Sequence, residues 1–164
     1  MDPTISALRK TLSSESEPLA RRFRALFSLK HLATHSPDAE ALQAIDAIST
    51  SLSSPSVLLG HESSYCLGQT KNLAAVPYLR AVLEDRSADP IVRHECAEAL
   101  AALGDTSCLE LLKDLRDNDK ELVVRETCEI AVDKIIWESS EEGKAEKLKQ
   151  RLVAFATNGV LAND

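Results

Sequence analysis

Aromatic side chains are scarce in this sequence: three Phe, two Tyr and one Trp among 164 residues, with only five glycines and six prolines. β-Sandwiches and barrels draw their cores from aromatic and β-branched residues and their turns from glycine and proline, so an all-β architecture is not expected. Positive charge is also short. Nineteen Lys and Arg stand against 26 Asp and Glu, leaving a formal charge of −7, and no basic cluster is interleaved with aromatics. Nucleic acid is therefore not an expected partner, and a basic protein segment suits this surface better. No apolar run approaches the roughly 18 residues of a membrane span, and "MDPTISALRK" lacks the charged-then-apolar pattern of a secretory signal, so no membrane partner and a cytoplasmic location are expected. There is no C-x-x-C pair. Cys66, Cys96, Cys108 and Cys128 each sit within an apolar helical pattern and read as reduced, buried small residues rather than disulfides or metal thiolates.

What the chain has in quantity is Leu, Ala, Ser, Glu and Lys, a composition that predicts nearly all helix. It also has a repeat. "RFRALFSL" from Arg22, "GHESSYCL" from Gly60, "RHECAEAL" from Arg93 and "VRETCEIA" from Val124 align with small or apolar residues at matching places. The spacings between Phe23, His61, His94 and Arg125 are 38, 33 and 31 residues, as helix-pair solenoid units require. The predicted first helices cover residues 4–13, 38–51, 73–84 and 106–116, and the second helices 18–33, 56–69, 89–103 and 120–138. Proline opens the second helices in "SPSVLLGHE" and "ADPIVRHE", and Gly68 and Gly104 are expected to end them. The fold class is thus all-α, an α-α superhelix of about four HEAT-like helix pairs over residues 1–139. Residues 140–164 form a charged linker or tail, read as a solvated linker or a marginal last helix with a frayed end.

Within the repeat, a His-Glu pair recurs at His61-Glu62 and His94-Glu95. Equivalent positions of stacked units face the same side, and neighbouring helices pack about 8–10 Å apart. Two imidazoles and two carboxylates can then converge on one ion, a donor set that suits non-haem iron. The outer units carry Phe23-Arg24 and Arg125-Glu126 instead, so a purely structural role, which would recur in all four units, does not explain the pair. A zincin needs a second histidine four residues on, where this chain has Tyr65 and Glu98. No G-x-S-x-G, phosphate loop or serine triad competes, so no catalytic residue is expected beyond the metal site. His31 and His35 read as cations near a helix C-terminus. Arg93 and Arg125 are expected to pair with acidic neighbours. Glu98 and Glu129 read as salt-bridged or solvated, with support of the metal ligands as the alternative for Glu98. Tyr65 reads as a core tyrosine, with pocket lining as the alternative.

With "LLGHESSYCLGQ", "AVPYLRAVLED", "DPIVRHECAEALAALGD" and "VVRETCEIAVDKI" in order, the chain resembles deoxyhypusine hydroxylase, a HEAT-repeat di-iron mono-oxygenase, over its N-terminal half. The resemblance implies iron- and oxygen-dependent hydroxylation of the deoxyhypusine residue of translation initiation factor 5A to hypusine, with Fe(2+) as cofactor. It implies His61, His94 and Glu95 as iron ligands. Glu62 is the remaining acidic member, either touching iron or holding the substrate's positively charged amine. Family members are about twice this long, with two such halves around the di-iron centre. The chain is thus expected to be a truncated product, a fragment, or a half that pairs with a second copy as a homodimer. The alternative is a HEAT-repeat interaction module without catalysis.

Overall fold

The structure, a computed structural model, describes residues 2–160. Among the described residues there are nine α-helices and no strand. They are α1 (Pro3–Ser13), α2 (Leu19–His35), α3 (Asp38–Ser49), α4 (Val57–Gln69), α5 (Val76–Glu84), α6 (Pro90–Leu103), α7 (Leu109–Asn118), α8 (Leu122–Ser139) and α9 (Glu141–Val160). Single 3-10 turns at Leu73–Ala75 and Thr106–Cys108 lead into α5 and α7. The first eight helices form four successive pairs, the expected α-α superhelix.

Local chemistry starts and stops these helices. Asp89 accepts from the amide of Ile91 at 2.9 Å and Pro90 occupies the first turn of α6, so one orphan amide is capped and another is absent. Pro55 lies just outside α4, whose cap is Ser56, accepting from the Leu59 amide at 3.3 Å. Gly104 ends α6 with φ +73° in the left-handed region, as expected of a glycine stop. Gly68 does not end α4. The helix runs on to Gln69, and the left-handed residue beyond it is Lys71, φ 55°. Gly68 instead marks a close approach: a Cβ built on it would lie 2.9 Å from both the Cα and the Cβ of Ala99 on α6.

The first helix of each pair buries a narrow stripe, as in α5 with Val76, Leu79 and Leu83 at steps of three and four. The second helices lie in a row, α4 along α6 and α6 along α8, so they have neighbours on two sides and bury more. In α6, Val92, Arg93, Glu95, Cys96, Ala97, Ala99, Leu100 and Ala101 are all buried. Small residues at Ala97, Ala99 and Gly68 let these backbones come close. Arg93, fully buried, donates to the Leu83 carbonyl at 3.0 Å and to both carboxylate oxygens of Asp119, one at 3.1 Å. Arg22 repeats the first of these contacts two pairs earlier in the stack, donating to the Leu12 carbonyl at 2.8 Å. Arg125 departs from the expectation of an acidic partner: it donates to the carbonyls of Asp119 and Lys120, at 2.9 and 3.3 Å. All four cysteines are free and buried.

The sequence left a linker and a last helix open beyond residue 139, and Glu141–Val160 is helical. This α9 folds back beside α8, where Lys147 reaches Glu138 at 2.6 Å. The expected frayed end falls on residues 161–164, outside the described residues. No described helix is long and apolar enough to cross a membrane.

Candidate metal centre

The row of second helices carries the repeated His-Glu pairs. His61 stands in the second turn of α4 and His94 at the equivalent place of α6, one unit along the stack. Their rings are stacked with centroids 6.3 Å apart. Glu95 reaches from α6 to His61, its Oε2 3.1 Å from Nε2. One potential ligand atom each from His61, His94 and Glu95 lies within 4.8 Å of the others. Glu62 is outside this group of three; its Oε1 lies 3.6 Å from His61 Nδ1, and it is half-buried.

Burial sets the electrostatics. Glu95 is 5% exposed, and desolvation, followed by the charges of Glu98 and Glu62, pushes its carboxyl up to about 7. A carboxylate in this position lacks the cation that would offset its burial. His61 Nδ1 is buried with no hydrogen-bond partner, and orphaned buried polar atoms of this kind are rare. Two imidazoles and one carboxylate form a donor set suited to ferrous iron. These residues fit a divalent cation: it would satisfy the charge that Glu95 leaves uncompensated.

The other sequence candidates fall outside this group of three. Glu98 and Glu129 are exposed. Tyr65, expected in the core, is 40% exposed, with the Lys30 ammonium 5.7 Å from its ring centre. Four residues after His61, it stays on the same open face of α4, whereas the core-facing positions are Ser63, Ser64 and Leu67. It lines a small cavity of about 30 Å³ together with Gly68, Glu95 and Glu98. His31 and His35 end α2, stacked on each other 4.4 Å apart and remote in the sequence from the pairs. One contact was not anticipated. Thr127, on α8, lies with its Oγ1 2.7 Å from His94 Nδ1. On the burial pattern of the two helices it takes the place on α8 that Glu95 has on α6, a signal visible only once α6 and α8 are known to be adjacent.

Residues 45–133 match the HEAT-repeat family. The chain belongs to this family. Its sequence is 62% identical to the deoxyhypusine hydroxylase of Aspergillus fumigatus over 91% of this chain and 45% of that protein. With the deoxyhypusine hydroxylase of Neurospora crassa it shares 56% over 92% of this chain and 47% of that protein. Among solved structures, human deoxyhypusine hydroxylase, in complex with glycerol, superimposes with a TM-score of 0.74 at 42% identity, over 82% of this chain and 44% of that one. This HEAT-repeat chain therefore resembles deoxyhypusine hydroxylase through nearly its whole length and spans about half the length of the relatives it matches.

Proposed function

We propose that this chain carries one half of a deoxyhypusine hydroxylase centre, acting on the deoxyhypusine residue of translation initiation factor 5A in the cytoplasm, with the ligand set completed by a second half or a second copy. The observation that carries this reading is the convergence of His61, His94 and Glu95 from two adjacent repeats, with ligand atoms within 4.8 Å, in a chain whose relatives are named deoxyhypusine hydroxylases.

In this reading His61, His94 and Glu95 hold Fe(2+). Iron, when bound, supplies the oxygen activation that hydroxylation of an unactivated carbon requires. The protein supplies a buried carboxylate whose charge the metal compensates, and two imidazoles set by the stacking of α4 on α6. Glu62, outside the group of three and half-buried beside His61, holds the substrate's ammonium group. Tyr65 and Glu98 flank Glu95 at the rim of the same cavity and shape the approach. The net charge of −7 attracts a cationic side chain and its basic surroundings. Two copies related by a two-fold axis present the same patch to each other, so a homodimer brings two such half-sites face to face.

Native mass spectrometry after anaerobic addition of ferrous iron reads subunit number and bound metal together. The expected species is a dimer with two irons that loses metal in His61→Ala and in His94→Ala; unchanged metal content in both variants removes the assignment. The second reading, a HEAT-repeat interaction module without catalysis, rests on the match of residues 45–133 to the HEAT-repeat family. It predicts a metal-free species in the same experiment.

A further inference from the structure

We propose that Thr127 is a positioning residue that fixes His94 as the tautomer with hydrogen on Nδ1, leaving Nε2 as the nitrogen free to accept a metal. The argument begins with the direction of two hydrogen bonds. Thr127 Oγ1 lies 2.8 Å from the Val123 carbonyl, one turn back on α8, and 2.7 Å from His94 Nδ1. A hydroxyl has one hydrogen and two lone pairs. The carbonyl can only accept, so the hydroxyl hydrogen goes to Val123. Turning that hydrogen toward His94 instead would press an oxygen lone pair against the carbonyl oxygen at 2.8 Å. Toward the imidazole, Thr127 therefore accepts, and Nδ1 must carry the proton. In a neutral ring Nε2 is then the bare nitrogen.

This order of donors is what metal-binding histidines need. The nitrogen away from the metal is normally tied to an acceptor that holds the ring's tautomer and orientation. A neutral histidine side chain in water favours hydrogen on Nε2, the nitrogen that would have to be stripped before binding. Thr127 reverses that preference before any metal arrives. The chain of acceptors runs from Val123 through Thr127 to His94, so α8, which carries no His-Glu pair, takes part in the site through α6.

The two histidines are supported unequally. In the burial pattern that α6 and α8 share, where Val92, Cys96 and Ala99 answer to Val124, Cys128 and Ala131, the counterpart of Thr127 is Glu95, which meets His61 at Nε2 rather than Nδ1. His61 Nδ1 is left without a hydrogen-bond partner. His61 is held through Nε2 by Glu95, a contact that a metal must replace, whereas the Thr127 contact can persist on binding. His94 is thus the preset ligand of the pair and His61 the one that rearranges.

The use of the tautomer rests on the reading of His94 as a ligand; the tautomer itself does not. The test uses the full metal-free chain with ¹⁵N-labelled histidine at pH 8, read by long-range ¹H–¹⁵N correlation, then titration with cobalt(II). In the wild type and in Thr127→Ser, His94 should show a protonated Nδ1 and a bare Nε2. In Thr127→Val, which removes the acceptor, the pattern should shift toward protonated Nε2, with cobalt affinity lower by about tenfold or more and restored in Thr127→Ser. Circular dichroism of the three proteins establishes that the folds match. A wild-type His94 protonated on Nε2, or a Thr127→Val protein with the wild-type pattern, overturns the proposal. If the tautomers behave as expected and no protein binds cobalt, the hydrogen-bond lock stands and the metal reading falls.

Discussion

Replacing Gly68 by alanine separates two effects of opposite sign. Within a helix, Gly→Ala should stabilise by about 1 kcal/mol, because glycine loses more backbone freedom on folding. At this position the new Cβ would sit 2.9 Å from the Cα and Cβ of Ala99, where carbon atoms rest at about 3.5–4.0 Å. Backbone as well as side chain is in the way, so α4 and α6 must separate by about 1 Å. Overpacking of this kind costs about 1–3 kcal/mol. The net expectation is a loss of about 1 kcal/mol, a fall in Tm of about 2–4 °C for a chain of this size. The same separation carries His61 away from His94 and Glu95 by more than the roughly 0.5 Å that a preorganised site tolerates, so metal affinity should fall further than stability does. Adding Ala99→Gly should recover only part of the loss, because the Ala99 Cα remains. Thermal unfolding followed by circular dichroism, with metal titration alongside, is the assay. A Gly68→Ala chain that melts higher than the wild type would show that helix propensity decides at this position and that the close approach of α4 and α6 is not needed.

Other outcomes follow from buried charge. Asp119→Ala should destabilise by about 3–5 kcal/mol in chemical denaturation, because it strands the fully buried Arg93 without its partner; a change below about 1 kcal/mol would remove the ion pair from the account of stability. Glu95 holds its proton up to about 7, above the ordinary 4.5, so in the metal-free chain its contribution is fully present below about pH 4.5 and falls as pH rises through 7. Glu95→Gln should therefore match the wild type near pH 5 and exceed it at pH 8, by on the order of 3 kcal/mol; parallel stability curves would contradict the shift. Burial raises the thiols of Cys66, Cys96 and Cys128 to about 12. At pH 8 they remain protonated, and iodoacetamide should label them only at the rate of opening, a result that mass spectrometry of the native and unfolded protein distinguishes.

Most helix boundaries were legible because the solvent-core alternation is strict in a stack where each unit has a single inner side. Asp89, Pro90 and Gly104 announce the ends of α6 through chemistry confined to a few neighbouring residues. Gly68 was misread because a glycine that ends a helix and one that admits a neighbouring backbone look the same along the chain; only the position of Ala99, 31 residues on, tells them apart. Tyr65 was misassigned for a related reason. Its periodicity put it on the face of His61, and whether that face was core or open depended on what lies across from it. His61, His94 and Glu95 were legible as a group because the repeat places equivalent residues one unit apart. Thr127 was not, since a helical threonine carries no sign of its partner until the register between α6 and α8 is known. Arg93 and Arg125 are matched only loosely by the alignment, and the difference between a carboxylate partner and carbonyl partners arises from the turn before α8.

The Arg93–Asp119 contact has a geometric consequence for its sequence neighbour. Adjacent residues on an α-helix project about 100° apart, so a planar guanidinium gripped by a carboxylate and the Leu83 carbonyl fixes the azimuth of α6 as a key fixes a shaft. His94 and Glu95 project from the same shaft. At a side-chain radius of about 5–6 Å, a roll of about 10° would sweep an imidazole through about 1 Å. The aim of His94 and Glu95 is thus governed by the buried arginine that precedes them in the chain, and an axial roll at that joint is a motion that would move both at once.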